Sequence, residues 1–189
     1  MYNLNLDSYI KIYENVLSPE HCQYIINTYH DSDLWKKSWV NQNGEEKEDL
    51  SERDCDIIDI TKTKKTILGG GIIDDLIFNK CNKLLNEYAN EFKYSGDSNK
   101  DVGYSILRYN KGNKFKQHTD DYDGQRRVLS LSIALNDDYD GGEWGFWDRQ
   151  KKFKLKTGDA LIFPSNFLYP HEILPIKSGV RYSVLTWFY

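Results

Sequence analysis

The chain has 189 residues, a length that most naturally forms one domain around one core. Hydrophobic residues make up 39% and aromatic residues 14%, which is enough apolar material to exclude a wholly disordered chain. The formal net charge is -4, and acidic and basic residues are interspersed, so the composition argues against a dedicated nucleic-acid binder.

The cysteines and the N-terminus bear on the cellular compartment. Cys22, Cys55 and Cys81 are widely spaced and form no C-x-x-C pair, which favours a reduced setting over a disulfide scaffold or a zinc ribbon. The N-terminus lacks the charged and apolar regions of a signal peptide, and no apolar run approaches the ~20 residues that span a membrane. We therefore expect a cytoplasmic protein without a membrane segment.

The first hundred residues are predicted to form a support of helices and short strands within a single domain, residues 1–189. Ser18 is a candidate N-cap directly before Pro19, and apolar residues after Ile72 recur at three- and four-residue steps. The polar stretch Asn41–Arg53 is either a mobile loop or a solvated connector. The predicted elements are a strand at Tyr9–Tyr13, a helix from Pro19 to about Thr28, a strand at Cys55–Ile60 and a helix at Ile72–Phe92, with Gly69–Gly71 as a flexible lead-in.

From residue 101 to residue 189 the pattern changes to short strands separated by turns, which predicts a β-sandwich or barrel as the core. The turn signals are Lys111-Gly112-Asn113, Asp123-Gly124, Asp140-Gly141-Gly142 and Thr157-Gly158-Asp159. The predicted strands are Tyr104–Tyr109, Phe115–His118, Arg126–Asn136, Glu143–Trp147, Lys152–Lys156, Ala160–Phe163 and Val180–Tyr189.

A candidate metal site begins at His118 and Asp120, which lie at positions i and i+2, so that on an extended strand their side chains leave the same face. His171, from another strand, would complete a set of two histidines and one carboxylate. Such a set suits Fe(II) and leaves coordination positions for a co-substrate and O2. The alternative for a lone H-x-D triplet is a turn histidine beside solvated acids. The remaining histidines, His21 and His30, are expected to be surface or cap residues of the first helix.

A candidate anion site follows ten residues after His171. Arg181 and Ser183 share one face of the last predicted strand, whose neighbours are mostly apolar. A buried arginine needs an anionic partner, and its planar guanidinium binds a carboxylate through two hydrogen bonds, which the Ser183 hydroxyl could supplement. The alternative is a surface ion pair with one of the acidic residues.

The central predicted strand supports a hollow barrel. One face is apolar and would pack on helices, while the other is small and polar, as an interior that holds a small ligand must be. The alternative is an ordinary amphipathic strand whose serines face water. The two faces are Leu129, Leu131, Ile133 and Leu135, and Val128, Ser130, Ser132 and Ala134.

Taken together and in this order, these motifs resemble the 2-oxoglutarate/Fe(II)-dependent oxygenases of the prolyl 4-hydroxylase-like group. The resemblance covers roughly residues 104–189 and implies a mainly β fold, a double-stranded β-helix (jelly-roll, cupin-like) with N-terminal helices packed on one sheet. The motifs that carry it are Tyr109-Asn110-Lys111-Gly112, Phe115, His118-Thr119-Asp120, Leu135-Asn136, Gly141-Gly142-Glu143, Gly158-Asp159-Ala160-Leu161-Ile162-Phe163, His171-Glu172 and Arg181-Tyr182-Ser183.

The resemblance also implies roles for individual residues. The catalytic metal ligands for Fe(II) would be His118, Asp120 and His171. The residues expected at the 2-oxoglutarate site are Arg181 and Ser183 at its C5 carboxylate, Tyr109 as a further hydrogen-bond donor to that carboxylate, and Trp187 near the wall of the iron site. O2 would be the second co-substrate, and ascorbate is an additional candidate cofactor.

The substrate is less well defined by the sequence. The resemblance favours hydroxylation of a prolyl residue in a protein or peptide, with Asn41–Arg53 placed where related enzymes carry a lid. Arg181 stands where collagen and plant branches usually have lysine, which makes collagen-like substrates less favoured. Trp144 could narrow the pocket, stack on a substrate ring or simply pack in the wall.

Three alternatives to a prolyl substrate stay open. One is a free amino acid or other small molecule, and another is a nucleic-acid demethylase, which the acidic charge and Trp187-Phe188 after the arginine disfavour. The third is a non-catalytic metal-binding jelly-roll, which would have no need of Arg181. The sequence does not indicate an oligomeric state.

Overall fold

A computed structural model describes residues 5–42, 45–92, 100–121 and 126–189, with the predicted turn at Asp123-Gly124 outside these ranges. The helices are a 3-10 helix at Leu6–Tyr9, α1 at Pro19–Tyr29, α2 at Ile60–Thr63 and α3 at Gly70–Phe92. The strands are β1 Lys11–Tyr13, β2 Lys36–Lys37, β3 Val40–Gln42, β4 Glu45–Lys47, β5 Arg53–Asp54, β6 Asp56–Asp59, β7 Ser105–Tyr109, β8 Lys114–His118, β9 Leu129–Ala134, β10 Asp140–Gly141, β11 Trp144–Phe146, β12 Lys151–Phe153, β13 Ala160–Pro164, β14 His171–Ile173, β15 Ile176–Ser178 and β16 Arg181–Phe188.

The strands form two main antiparallel sheets. The larger has the order β1-β13-β9-β16-β7-β6-β2, and the smaller has the order β12-β11-β14-β8-β5. Two short antiparallel pairs, β3 with β4 and β10 with β15, complete the described sheets. The predicted mainly β architecture is therefore confirmed.

The larger sheet separates two hydrophobic cores, and alternation along its strands decides which side chains enter each. Leu129, Leu131 and Ile133 pack with the helices on one side, where Ile73 and Ile77 of α3 are fully buried. The opposite face of the same strands looks toward the smaller sheet. The alternation predicts this arrangement, in which the helices pack on one sheet and a separate interior lies between the two sheets.

The two long helices form where their sequence signals lie. The Ser18 hydroxyl accepts a hydrogen bond from the backbone N–H of His21 at 3.3 Å, and Pro19 occupies the first helical position. Helix α3 begins at Gly70, two residues before the predicted start, and Gly70 is buried where an added Cβ would lie 2.8 Å from the Lys64 carbonyl oxygen. No helix in the described ranges is long and apolar enough to cross a membrane.

The stretch Asn41–Arg53 differs from the predicted loop or connector. It continues the hairpin of β3 and β4, in which Val40 pairs with Lys47, and its last residue, Arg53, begins β5 in the smaller sheet. These strands have two or three polar residues each, too few for an alternating pattern to show. Short strands explain the other omissions as well: β10 lies within a predicted turn, and β15 has no counterpart among the predicted strands.

The element ends also shift where a side chain caps a helix. The predicted strand Cys55–Ile60 ends one residue early, as β6, because the Asp59 carboxylate accepts from the Lys62 N–H at 2.8 Å and starts α2 at Ile60. The predicted strand Lys152–Lys156 is observed as the shorter β12, Lys151–Phe153.

The N-terminal segment is fixed to the core at Gly158. The carbonyl oxygen of Gly158 accepts from the backbone N–H groups of Val16 and Leu17, at 2.9 and 3.1 Å. Gly158 has φ +86°, and a Cβ there would lie 2.1 Å from the Leu17 carbonyl oxygen. A side chain at this position therefore meets both an unfavourable backbone conformation and a backbone clash.

Gly158→Ala should lower the free energy of unfolding by about 3 kcal/mol or more, since the clash adds to the left-handed strain. Gly112→Ala is the matched control, because Gly112 has φ +89° and a Cβ at this position would have no atom within 4 Å. Backbone strain alone should therefore lower the free energy of unfolding of the control by about 1–2 kcal/mol. Urea denaturation of both variants measures the difference. Equal losses would mean that the contact with Leu17 contributes nothing.

Candidate metal centre

The three predicted metal ligands converge between the sheets. His118 ends β8 and His171 begins β14, and these two residues are directly paired across the antiparallel ladder. The Nε2 atoms of His118 and His171 lie 3.5 and 3.6 Å from the carboxylate oxygens of Asp120. Potential ligand atoms of all three residues lie within 4.8 Å of one another, so one ion could contact the whole set.

Backbone carbonyls fix both histidine rings. The Nδ1 atom of His118 lies 2.7 Å from the Lys116 carbonyl oxygen, and that of His171 lies 3.0 Å from the Tyr169 carbonyl oxygen. A carbonyl oxygen can only accept, so each Nδ1 must carry the proton of its hydrogen bond. The lone pair of each neutral ring is therefore on Nε2, on the side of Asp120, as a metal ligand requires.

Asp120 is held as a carboxylate despite its burial. Burial alone would raise its pKa, but the adjacent His171 and His118 and the Ser130 hydroxyl hold the pKa well below the usual range. The Ser130 hydroxyl donates to Asp120 at 2.6 Å and lies 2.8 Å from the Ser165 hydroxyl. The charged form that binds a cation is thus the form present at neutral pH.

His171 is held neutral by its surroundings. Burial, together with the neighbouring His118, lowers its pKa to about 4, although Asp120 and the Tyr169 carbonyl oppose the shift. Because the pKa is lowered, the neutral imidazole is the form present above about pH 4. The structure thus offers one charged oxygen donor, Asp120, and the unprotonated Nε2 of His171 at a single point.

Arg181 is the second charged group in this interior. It is 3% exposed, and its Nη1 donates to the Ser183 hydroxyl at 3.1 Å. Within the described part of the chain, no carboxylate forms an ion pair with Arg181, which excludes the surface ion pair considered from the sequence. The guanidinium lies instead near the aromatic rings of Tyr109 and Trp144, at 5.2 and 5.7 Å from their centroids.

An inner cavity connects the triad with Arg181. All seven sequence-predicted site residues line it, and Tyr109 and Ser183 are almost completely buried there. The cavity is about 20 Å³, roughly the space of one water molecule, so a larger ligand requires its lining side chains to move. The seven residues are His118, Asp120, His171, Arg181, Tyr109, Ser183 and Trp187.

Trp144 is a wall residue and does not point outward to stack on a substrate. It is 6% exposed, and its ring lies 5.8 Å from Phe163 and 5.7 Å from His171. Its indole N–H is buried and has no hydrogen-bond partner among the described residues. Trp144 thus narrows the inner cavity and leaves one donor group unused.

An outer cavity of about 340 Å³ opens next to the triad. It shares His118, Asp120, Phe115, Trp187 and Arg53 with the inner cavity, so the two form one path past the metal ligands. Its remaining wall comes from the segment around β3 and β5 and from β8. These wall residues are Trp39, Val40, Glu52, Lys116, Gln117, Thr119 and Arg127.

Arg53, at the junction of the two cavities, was not predicted from the sequence. It is 6% exposed and lies over the Phe115 ring at 4.7 Å, and its Nη1 donates to the Trp39 carbonyl oxygen at 3.3 Å. Its Nε and Nη2 groups are buried and have no hydrogen-bond partner in the described ranges. The arginine ends a polar stretch that carries no motif, so only the long-range pairing of β5 with β8 reveals its position.

The other histidines lie outside the site. His30 is the C-cap residue of α1, and its Nδ1 lies 2.7 Å from the Tyr182 hydroxyl on the helical side of the larger sheet. His21 is exposed in the first turn of the same helix. Both positions agree with the surface and cap roles expected from the sequence.

A model of one protein family matches the part of the chain that contains this site. The match covers residues 104–189, and the family is described as the 2OG-Fe(II) oxygenase superfamily. The sequence of residues 104–189 is therefore similar to this superfamily. The match includes the triad and Arg181, and it lies entirely outside β1 to β6.

Curated proteins that are similar to part of this chain are named hydroxylases. A PKHD-type hydroxylase of Prochlorococcus marinus is 39% identical over 83 residues, covering 41% of the chain and 37% of that protein. A PKHD-type hydroxylase of Colwellia psychrerythraea is 44% identical over 66 residues, covering 33% of the chain and 29% of that protein. The chain thus matches only about a third of the length of these relatives.

Solved oxygenase structures share the fold over nearly the whole chain. A Trichoplax adhaerens prolyl hydroxylase, in complex with a hypoxia inducible factor peptide, has a TM-score of 0.79 and 17% identity, covering 96% of this chain and 83% of that chain. A Pseudomonas putida prolyl-4-hydroxylase has a TM-score of 0.69 and 18% identity, covering 95% and 91%. At these identities the likeness concerns the fold, and it confirms the predicted jelly-roll.

The residues present fit the Fe(II) and 2-oxoglutarate that the superfamily description implies. Two imidazoles and a carboxylate form the ligand set that suits Fe(II). The buried Arg181, with no carboxylate partner in the described part of the chain, is a fitting anchor for the far carboxylate of a dicarboxylic acid.

Ser130→Ala should weaken the binding of Mn(II), a redox-stable substitute for Fe(II), by roughly tenfold, because Asp120 loses its orienting hydrogen bond. Ser132→Ala is the matched control, since Ser132 lies on the same face of β9 but donates to the Val184 carbonyl oxygen at 3.1 Å. Free Mn(II) in a titration is measured by electron paramagnetic resonance. Equal affinities in the two variants would show that Ser130 does not orient Asp120.

Proposed function

We propose that the chain is an Fe(II)- and 2-oxoglutarate-dependent dioxygenase that hydroxylates a C–H bond. One observation carries the proposal: the same interior holds a metal-ligand triad and a buried arginine that has no carboxylate partner within the described residues. A protein that only binds metal has no use for this arginine. Burial of an uncompensated charge is unfavourable, and it is explained if an anionic co-substrate completes the site.

The triad would hold the iron. His118 and His171 present their Nε2 atoms, and Asp120 presents a carboxylate that the Ser130 hydroxyl orients. Iron with bound 2-oxoglutarate supplies O2 activation, in which 2-oxoglutarate yields succinate and CO2 and a substrate C–H bond becomes C–OH. This chemistry requires no protein acid or base, and we assign none.

Arg181 would bind the C5 carboxylate of 2-oxoglutarate. Ser183 already contacts its guanidinium, and Tyr109 lies against it from the neighbouring strand β7. Burial raises the pKa of the Tyr109 phenol, so the hydroxyl keeps the proton with which it would donate to a carboxylate. The aromatic walls exclude water and strengthen these charged contacts.

Arg53 would have to move when 2-oxoglutarate enters, because the inner cavity is narrow and Arg53 stands at its mouth. Its Nε and Nη2 have no hydrogen-bond partner among the residues that the structure describes, so few hydrogen bonds oppose this movement. Once turned into the outer cavity, its donors would be available to the substrate.

The proposed substrate is a prolyl residue in a protein or peptide. Two solved structures that share the fold are named prolyl hydroxylases, and one of them is in complex with a peptide. The outer cavity gives further support. The cavity is open, and Trp39, Phe115 and Trp187 give it apolar walls suited to a pyrrolidine ring. Val40 and Glu52, at the ends of the hairpin segment, also line it, which supports a lid role for residues 41–53.

Anaerobic addition of Fe(II) and 2-oxoglutarate should give a weak visible charge-transfer band, and O2 should then release succinate. His118→Ala should abolish both signals because the metal site loses a ligand. Arg181→Met should weaken 2-oxoglutarate binding by roughly 100-fold or more, as expected when a buried charged contact is lost. Lys11→Ala, which removes the distant surface pair with Glu91, is the control and should match the wild type. A folded wild type with neither signal would contradict the proposal.

Arg53→Met should raise KM for a proline-containing peptide about tenfold, corresponding to the loss of one charged hydrogen bond. Succinate release without peptide should stay equal or increase, because the mouth of the inner cavity becomes less obstructed. Peptide hydroxylation and succinate are quantified together by mass spectrometry. If only free proline or another small molecule is hydroxylated, the substrate assignment is wrong and the oxygenase assignment stands.

A further inference from the structure

A strained turn after β11 contacts the strands that carry both histidines. Trp147, Asp148 and Arg149 have φ values of 51°, 51° and 67°, three consecutive non-glycine residues in the left-handed region. Such conformations are unfavourable for residues with a Cβ and persist only where surrounding contacts impose them. The contacts made by these three residues, which we name the Trp147 turn, are therefore informative.

The first set of contacts is to the residues before His171. The Trp147 backbone N–H donates to the Pro170 carbonyl oxygen at 3.1 Å, and its indole N–H donates to the Leu168 carbonyl oxygen at 2.8 Å. Its ring lies 5.9 Å from that of Tyr169, whose carbonyl oxygen accepts from Nδ1 of His171. Trp147 thus fixes the backbone that orients the His171 ring.

The second set of contacts is to the residues next to each histidine. Arg149 donates to both carboxylate oxygens of Glu172 at 2.7 and 3.0 Å. The Gln117 side-chain amide donates to the Asp148 carboxylate at 2.9 Å and accepts from the Asp148 backbone N–H at 2.8 Å. Since β14 lies between β11 and β8 in the sheet, the turn reaches across one ligand strand to the other.

The turn adds side-chain contacts where the strand pairing becomes irregular. His171 pairs with His118, but the register of the β8–β14 ladder shifts directly after this pair, so that Ile173 pairs with Phe115. Contacts to both flanks of His171 and to the residue before His118 therefore add to the strand pairing at the point where the register changes.

We infer that the Trp147 turn is a clamp that sets the distance between the two histidine ligands, with Gln117, Asp148 and Arg149 as positioning residues. This inference rests on the proposed metal site, but it concerns residues outside the ligand triad, of which Gln117 also lines the outer cavity. Gln117, Asp148 and Arg149 are exposed, whereas Glu172 is 8% exposed, so truncation at the exposed end of each pair should affect the ligand geometry more than the overall stability.

The test uses the double variant Gln117→Ala/Arg149→Ala, which removes both side-chain connections and leaves the turn residues Trp147 and Asp148 in place. Mn(II) affinity should fall by roughly tenfold, as for other residues behind metal ligands, while the Tm of the metal-free protein should change little. Asp148→Asn retains the oxygen that accepts from Gln117 and tolerates the left-handed conformation, so it should bind Mn(II) like the wild type. Lys11→Ala controls for loss of an exposed ion pair.

The outcomes that would overturn the clamp differ from the outcome that would overturn the metal site. An affinity of the double variant within twofold of the wild type, or an equal weakening in Lys11→Ala, overturns the clamp. A large fall in the metal-free Tm together with affinity would show a structural role only, which also overturns it. If the folded wild type fails to bind Mn(II) while its Tm is normal, the metal site itself is wrong and the proposed function fails with it.

Discussion

The interior between the two sheets holds a buried carboxylate, Asp120, and a buried guanidinium, Arg181, which form no ion pair with each other. Asp120 lies beside the two imidazoles and the Ser130 hydroxyl, and Arg181 beside a hydroxyl and aromatic rings. Each charge is unfavourable in so buried a place unless a ligand of the opposite sign joins it. A cation at Asp120 and an anion at Arg181 satisfy both, and an anion that also chelates the cation satisfies them in one complex.

The fold makes this polar interior possible by giving the two faces of each strand different environments. Along β9, Leu129, Leu131 and Ile133 face the helices, while Ser130 and Ser132 face the site. The helical side carries the hydrophobic burial that stabilises the domain, so the other side can contain groups that destabilise it. The larger sheet, which carries Arg181, and the smaller sheet, which carries both histidines, then define the two ends of the site.

The parts of the site that follow strand alternation could be predicted from the sequence. The i, i+2 pair of His118 and Asp120 and that of Arg181 and Ser183 need only local geometry. Ser165 and Arg53 could not be found this way, because Ser165 meets Ser130 across 35 residues and Arg53 reaches the site through a two-residue strand. The pairing of β3 with β4 could not be predicted either, because the two strands are too short and polar to show a periodic pattern.

The residues that line the two cavities come partly from inside and partly from outside the matched segment, so the match bears on the reaction more than on the substrate. The superfamily match covers residues 104–189, which contain the triad and Arg181, the residues to which we assign the proposed oxidative chemistry. The outer cavity, in contrast, takes Trp39, Glu52 and Arg53 from residues before that segment. Because these side chains face the space where a substrate would approach the triad, the choice of substrate depends on a region that the match does not include. Similarity over residues 104–189 therefore supports the proposed reaction, whereas the substrate specificity depends on the side chains before residue 104 that line the outer cavity.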